Sequence, residues 1–367
     1  MLKKNITELS GDQTNKIFTG DSIKIMRELP ENSVDLIFAD PPYNLQLNDT
    51  IYRPDYSDVD SVREDWDKFE NFKSYDAFTT SWLKECRRLL KPSGTIWVIG
   101  SYHNIFRVGY IMQNMEFWML NDIIWTKTNP MPHFRGRRFT NAHETMIWAA
   151  KDKKSKYKFN YDAVKSLNDD IQMRSDWHIP ICTGKERLRD ESGTKLHPTQ
   201  KPEALVYRVI VSSSEPNAIV LDPFSGSGTT AAVCKKLGRR WIGIEMNKDY
   251  VDIAKQRLKE IDNPCLSSIN IKSTKRDQVR IPFGTLVESG MIAIGEKLYC
   301  SKKKNVAIVK ADGTLQASEI NGSIHKIAAH YQGTESCNGW TYWHFLKNNG
   351  LYPIDKIRDQ IKSDLAK

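Results

Sequence analysis

The chain has no stretch close to the ~20 consecutive apolar residues that a membrane-spanning helix needs, and its mean hydropathy is −0.54. Its start, MLKKNITELS, carries a basic pair with no apolar segment behind it, so a secretory leader is not expected. The six cysteines stand at 86, 182, 234, 265, 300 and 337, with no CxxC or other tight spacing. A Cys-based zinc site and a disulfide framework therefore lack support. Reduced thiols in a cytoplasmic protein, away from any membrane, are the expectation. There is no internal repeat.

What is present is ordinary globular composition: 367 residues, 27% charged and 40% hydrophobic. That length suits one large α/β domain plus a smaller one. The net charge is +9, and +6 of it falls after residue 265. Such asymmetry points to a polyanionic partner.

Short apolar runs alternate with segments of helical period. Residues 16–19, 34–39, 95–99, 119–125, 144–149, 219–221 and 241–244 read as seven strands, with a turn at 92–94. Between them, Phe78, Trp82, Leu83, Cys86, Leu89 and Leu90 share one face of a helix over 74–90. Alternation of this kind predicts a doubly wound, mostly parallel sheet. A polar stretch at about 150–195 interrupts it. The predicted organisation is a short disordered extension over 1–14, a main domain over 15–262, a linker over 263–278 and a C-terminal domain over 279–367. Asp312-Gly313 marks a hairpin in the last of these.

Two segments carry most of the chemistry. Asp40-Pro41-Pro42-Tyr43 follows the apolar run VDLIFA, and a loop at the C-terminal end of a parallel strand is where open α/β sheets seat ligands. The Asp40 carboxylate and the Pro41 carbonyl are two acceptors held by rigid prolines, which suits an NH2 group on a base or an amide. Tyr43 adds a face for stacking a planar ring. The second segment, DPFSGSGTT (222–230), lies between a strand and a helix. It has no Walker lysine, but its glycines allow backbone approach to a ligand at a helix N-terminus. Glu245 ends the next strand, 17 residues after Gly228, where an acidic side chain can bind ribose hydroxyls. The arrangement points to an adenosine-containing cofactor. His197, Thr199 and Lys201, in HPTQKP just before a helix, could hold a cofactor carboxylate, and Asp21 occupies another ligand-facing position.

The order DPPY, HPTQKP, DPFSGSGTT resembles the beta-class amino-methyltransferases of DNA. IFADPPYNLQL (37–47), WVIGSYHNIFRVG (97–109), NAHET (141–145), QMRSDW (172–177), GSIHK (322–326) and CNGWTYWHF (337–345) resemble more narrowly the bacterial cell-cycle-regulated adenine methyltransferases of CcrM type. The likeness runs from about residue 15 to 360.

The resemblance implies a class I S-adenosylmethionine-dependent methyltransferase fold, with a seven-stranded sheet and a smaller C-terminal DNA-binding domain. The activity it implies is transfer of a methyl group from S-adenosylmethionine to N6 of adenine in GANTC. The partner would be double-stranded DNA, bound by a monomer or homodimer in the bacterial cytoplasm at the nucleoid, without a metal. Asp40, Pro41, Pro42 and Tyr43 would hold the flipped adenine. Asp21, His197, Thr199, Lys201, Asp222, Phe224, Gly226, Gly228, Thr229 and Glu245 would hold the cofactor, with Thr199 and Lys201 at its methionine end. Asn44, Arg135, Arg137, Arg138, Arg174, Ser323, Asn338 and Trp340 would contact DNA, the fork of Arg174 reading guanine. Tail aromatics among basic residues, Trp340 and Trp343 included, suggest platforms for unstacked bases and opening of the duplex. Two alternatives remain at this level: an amino-methyltransferase of cytosine N4, RNA or protein, and a non-catalytic DNA-binding regulator.

Overall fold

The computed structural model describes residues 9, 11–45, 67–133, 137–265, 268–269, 281–347 and 350–365. The chain divides into two compact units, 1–274 and 275–367. Most of the expected extension, most of the expected linker and Arg135 lie outside the described residues.

The first unit is built on one sheet. In chain order its strands are β1 (Lys16–Thr19), β2 (Val34–Ala39), β3 (Leu90–Gly100), β4 (Trp118–Lys127), β5 (His143–Ala150), β6 (Asp176–Ile179), β7 (Ile219–Asp222) and β8 (Arg240–Glu245). Their spatial order is β1-β8-β7-β2-β3-β5-β4-β6. The pairs β1·β8, β8·β7, β7·β2, β2·β3 and β4·β6 are parallel, whereas β5 runs antiparallel to both β3 and β4. The sheet therefore has eight strands, correcting the expected seven. The eighth, β6, comes from the polar stretch, where the four residues DWHI pair with Ile124–Lys127. The expected turn at 92–94 is an irregularity inside β3: Val34 pairs with Leu90, but Leu36 pairs with Thr95.

The central strands are apolar on both faces, as a covered sheet requires. Ile37 and Ala39 face one core with Met26, Trp82, Leu83, Cys86, Val108 and Met112. Leu36 and Phe38 face the other with Leu205, Val206, Val209, Ile210 and Val233. The first core is roofed by α1 (Ser22–Glu28), α2 (Phe72–Leu89) and α3 (Ile105–Asn114). The second lies under α5 (Glu203–Ser213) and α6 (Thr229–Lys236), with the short α4 (Tyr161–Ser166) beside α5. Each fully buried aliphatic or Phe side chain contributes roughly 1.5–3 kcal/mol. Helix α2 starts where Asn71 accepts from Ser74 N while the Ser74 hydroxyl accepts from Asn71 N, a reciprocal cap worth about 1 kcal/mol. Helix α7 (Lys248–Lys259) packs against β1 through Val251 and Ala254.

Chain connections leave β2 toward β3 on one side and β7 toward β8 on the other. The reversal lies between the neighbours β2 and β7, a switch point that opens a crevice at the strands' C-terminal ends. Both sequence-flagged loops emerge there.

The second unit holds a six-stranded antiparallel sheet. Its strands are β9 (Lys297–Tyr299), β10 (Val306–Val309), β11 (Leu315–Ala317), β12 (Ile320–Gly322), β13 (His344–Lys347) and β14 (Gly350–Pro353), in spatial order β12-β11-β10-β9-β13-β14. β10 and β11 form the hairpin around Asp312-Gly313, where Gly313 takes a φ of 74°, a conformation that favours glycine. Its helices are α8 (Phe283–Glu288), α9 (Ile324–Gln332), α10 (Gly339–Tyr342) and α11 (Asp355–Leu365). Leu286, Leu298, Leu315, Ile327, Trp340, Trp343 and Ile354 make its core.

Candidate active site

The loop after β2 is braced from three sides. The Tyr75 hydroxyl donates to the Pro42 carbonyl at 2.9 Å. Asp67 accepts from Asn44 N at 2.7 Å and Leu45 N at 2.8 Å. Lys201 Nζ donates to Asp40 Oδ2 at 2.7 Å. Asp40 Oδ1 is buried and has no hydrogen-bond partner among the described residues. Buried acceptors are normally satisfied, so an orphan at a cavity wall is an acceptor waiting for a guest.

The loop after β7 is braced in its own way. Asp222 accepts from Phe224 N and from the Thr230 hydroxyl. Burial raises its pKa to about 7, against those hydrogen bonds. Gly226 takes a φ of 49°, and its N–H donates to Glu245 Oε2 at 2.9 Å. Asn247 N donates to Glu245 Oε1 at 2.8 Å. Arg257 donates to the Ser227 carbonyl and the Thr229 hydroxyl, and pairs with Glu203 at 2.8 Å. Thr229 in turn donates to the Lys201 carbonyl at 3.4 Å.

Two cavities meet between these loops. The larger, about 510 Å³, is walled by Asp21, Asp40, Pro42, His197, Thr199, Lys201, Asp222, Phe224, Gly226, Thr229 and Glu245 among others. The smaller, about 340 Å³, has Asp40, Pro41, Tyr43, Trp125, Lys127 and Glu144 in its wall. Asp40, Thr199, Gln200 and Lys201 belong to both. The larger volume falls within the roughly 300–1,000 Å³ of pockets for drug-sized ligands.

The shared wall is strongly charged. Burial raises the Asp40 pKa, opposed by the Lys201 cation. Burial works against charge on Lys201 too, but Asp40 and Glu144 prevail and raise its pKa, keeping it cationic. Glu144 is buried, yet Lys201 and Lys127 together hold its carboxyl below the usual range. Its two oxygens are divided: Oε1 pairs with Lys127 Nζ at 2.8 Å, and Oε2 accepts from the Tyr43 hydroxyl at 2.9 Å. Burial beside Lys201 and Arg187 pushes His197 down to about 3, so it is neutral in the cavity wall, packed on Tyr250.

The expected roles of Gly228 and Trp340 are corrected. Gly228 is not in the cavity wall. It is the N-cap of α6 at a φ of 73°, and a Cβ there would come within 2.7 Å of Ala254 Cβ, so it serves the packing of α7. Lys201 gives its ammonium to Asp40 while also lining the larger cavity. Asn44 is buried at a φ of 55°. Arg174 pairs with Asp176 through Nε and Nη2 at 3.0 Å, on a side chain that is 82% exposed. Ser323 caps α9 and Asn338 caps α10 through their side-chain oxygens. Trp340 is core, only 6% exposed, with Arg358 4.4 Å above its ring. Trp343 is fully buried and the Tyr342 hydroxyl accepts from Asn305, so these tail aromatics are not open platforms. Arg137 and Arg138 are exposed.

Sequence reasoning did not single out Lys127, Glu144 or Asp67. A signal existed for the first: a charge closing the apolar strand run ending in IIWTK, at the ligand-facing edge. Glu144 lies within NAHET, but only the β4–β5 register sets it beside Lys127, and only the sheet order β2-β3-β5 brings it to Tyr43.

A doubly wound sheet with a rigid acceptor loop and a glycine loop converging at its switch point defines an α/β protein that seats its ligands at the carboxyl edge. The chain belongs to the DNA methylase family, whose model matches residues 34–256. A second model, described as Restriction Enzyme Adenine Methylase Associated, matches residues 267–367. The chain is 48% identical over 358 residues to the type II methyltransferase M.HinfI of Haemophilus influenzae, covering 98% of both proteins. It is 44% identical over 239 residues to the type II methyltransferase M2.LlaDCHI of Lactococcus lactis subsp. cremoris, covering 65% of this chain and 87% of that protein. The solved PvuII DNA methyltransferase, cytosine-N4-specific, shares the fold at a TM-score of 0.52 and 22% identity, over 69% of this chain and 88% of that one.

Proposed function

We propose that the protein is a CcrM-type, beta-class enzyme that methylates N6 of adenine in GANTC, with S-adenosylmethionine as methyl donor. The observation that carries transfer to an amine is the unpartnered, buried Asp40 Oδ1 on the wall shared by two cavities; the CcrM-type and GANTC parts rest on the sequence resemblance. One cavity suits a nucleoside-sized cofactor and the other a planar base. The Restriction Enzyme Adenine Methylase Associated match over residues 267–367 supports adenine as the target.

The larger cavity fits the cofactor by its donor set. Glu245 and Asp21 offer carboxylates at adjacent strand ends, and Gly226 lets the loop lie against His197, where a Cβ would come within 2.8 Å of Nε2. When bound, the cofactor supplies an electrophilic methyl group on a sulfonium centre. Asp40 Oδ1 and the Pro41 carbonyl accept the two N6 hydrogens. Those contacts aim the amine lone pair across the shared wall, which is catalysis by orientation and placed charge. Tyr43 stacks on the base, which has to leave the duplex because a paired N6 cannot reach this depth. Residues 15–262 form the methyltransferase domain and about 150–195 its recognition insertion. Residues 263–278 link it to a DNA-binding domain over 279–367, whose basic residues meet phosphates; exposed Arg137 and Arg138 act likewise.

The test is to incubate the purified protein with labelled S-adenosylmethionine and duplexes containing or lacking GANTC, then map the product by sequencing. N6-methyladenine confined to GANTC is the expected result. N4-methylcytosine, or DNA binding without transfer, overturns the proposal.

A further inference from the structure

We propose that Glu144, anchored by Lys127, is a positioning residue that fixes the ring of Tyr43 so that the stacking face for the target base is set before the base arrives. The inference rests on the function proposed above. Tyr43 stands on a loop, where a ring is free to turn unless something holds its tip. Its hydroxyl is held, by Glu144 Oε2 at 2.9 Å. The holder is rigid: Glu144 is in β5, Lys127 ends β4, and the pairs Trp125↔Glu144 and Thr126↔His143 fix their relative place. Lys201 lies over the Tyr43 ring, 5.2 Å from its centroid, so a base stacks on the face that Lys201 leaves uncovered.

The placement is costly. The Lys127 and Glu144 side chains are each only 11% exposed. Desolvating two charges is costly, and an apolar pair of similar size often serves stability as well or better. Fold stability is therefore a poor account of this pair. A fixed carboxylate oxygen at the rim of the smaller cavity is a better one. A ring ordered in advance loses less of the base–aromatic stacking energy to ordering.

The test is a double-mutant cycle on single-turnover methyl transfer to a GANTC duplex, with Tyr43→Phe, Glu144→Gln and the pair combined. Tyr43→Phe keeps the ring and is expected to slow transfer on the order of tenfold, the scale of one hydrogen bond to a charged group. Glu144→Gln should slow transfer in the Tyr43 background and add little in the Tyr43→Phe background. Cofactor affinity should be unchanged in both, because neither side chain lines the larger cavity. Additive effects, or an unchanged rate for Tyr43→Phe, overturn the proposal. If Glu144→Gln does not fold, judged by thermal unfolding, the Tyr43→Phe rate alone decides. A wild-type protein that transfers no methyl group would instead refute the function proposed above.

Discussion

Lys201 Nζ sits 2.7 Å from Asp40 Oδ2, while Asp40 Oδ1 has no partner among the described residues. One carboxylate is thus split between a fixed cation and an open acceptor. The cation sets the carboxylate's orientation and restrains its pKa; the open oxygen is left for chemistry.

Replacing that carboxylate should separate chemistry from binding. Asp40→Ala is expected to lose on the order of 10²–10³ in transfer rate, the usual effect of removing one pre-placed electrostatic group, with a much smaller change in cofactor affinity. Single-turnover kinetics with labelled cofactor check it. A near-normal rate removes Asp40 from its assigned role.

The pH profile follows from the same residue. Asp40 is the stronger acceptor when ionised, and burial raises its pKa despite Lys201. The rate should therefore fall, as pH is lowered, at a higher pH than an exposed aspartate would give. Lys201→Met removes the cation that lowers this pKa, so the acid limb should move to higher pH still. An acid limb that stays in place in a folded Lys201→Met protein contradicts the coupling.

Glu245→Ala should act on cofactor affinity. It removes a cavity carboxylate and orphans two backbone donors, Gly226 N and Asn247 N. A hydrogen bond to a charged group is worth about 1.5–3 kcal/mol, so loss of the carboxylate should raise the dissociation constant for S-adenosylmethionine roughly tenfold to a hundredfold. Equilibrium titration measures this directly; an unaltered constant would dissociate Glu245 from cofactor binding.

Trp340→Ala should behave as a core truncation, destabilising the C-terminal unit by about 3–5 kcal/mol. Denaturant unfolding of the full chain checks it. Unchanged stability with a selective loss of DNA affinity would return Trp340 to the surface role its sequence context suggests.

The parts legible in the sequence are those where one periodicity dominates. VDLIFA reads as a buried strand because both faces of β2 are covered, and α2 reads as a helix because Trp82, Leu83, Cys86 and Leu89 repeat at helical spacing. β6 was illegible: four residues, alternately buried, carry too little pattern to stand out from a polar stretch. Lys127 and Glu144 meet through strand register, which composition does not encode. Trp340 could be misread because a core and a stacking platform ask for the same side chain, and only burial separates them.

The wall shared by the two cavities also has a pharmacological consequence. A tethered molecule could carry an adenosyl half in the larger space and a purine-like half in the smaller, its link crossing at Asp40. Binding of the second half then becomes intramolecular, and overall affinity can exceed that of either half by 10²–10⁴-fold without new contacts, provided the link matches the span. A cationic nitrogen placed in that link would lie against the open oxygen of Asp40, so the same acceptor that aims the amine would select the inhibitor.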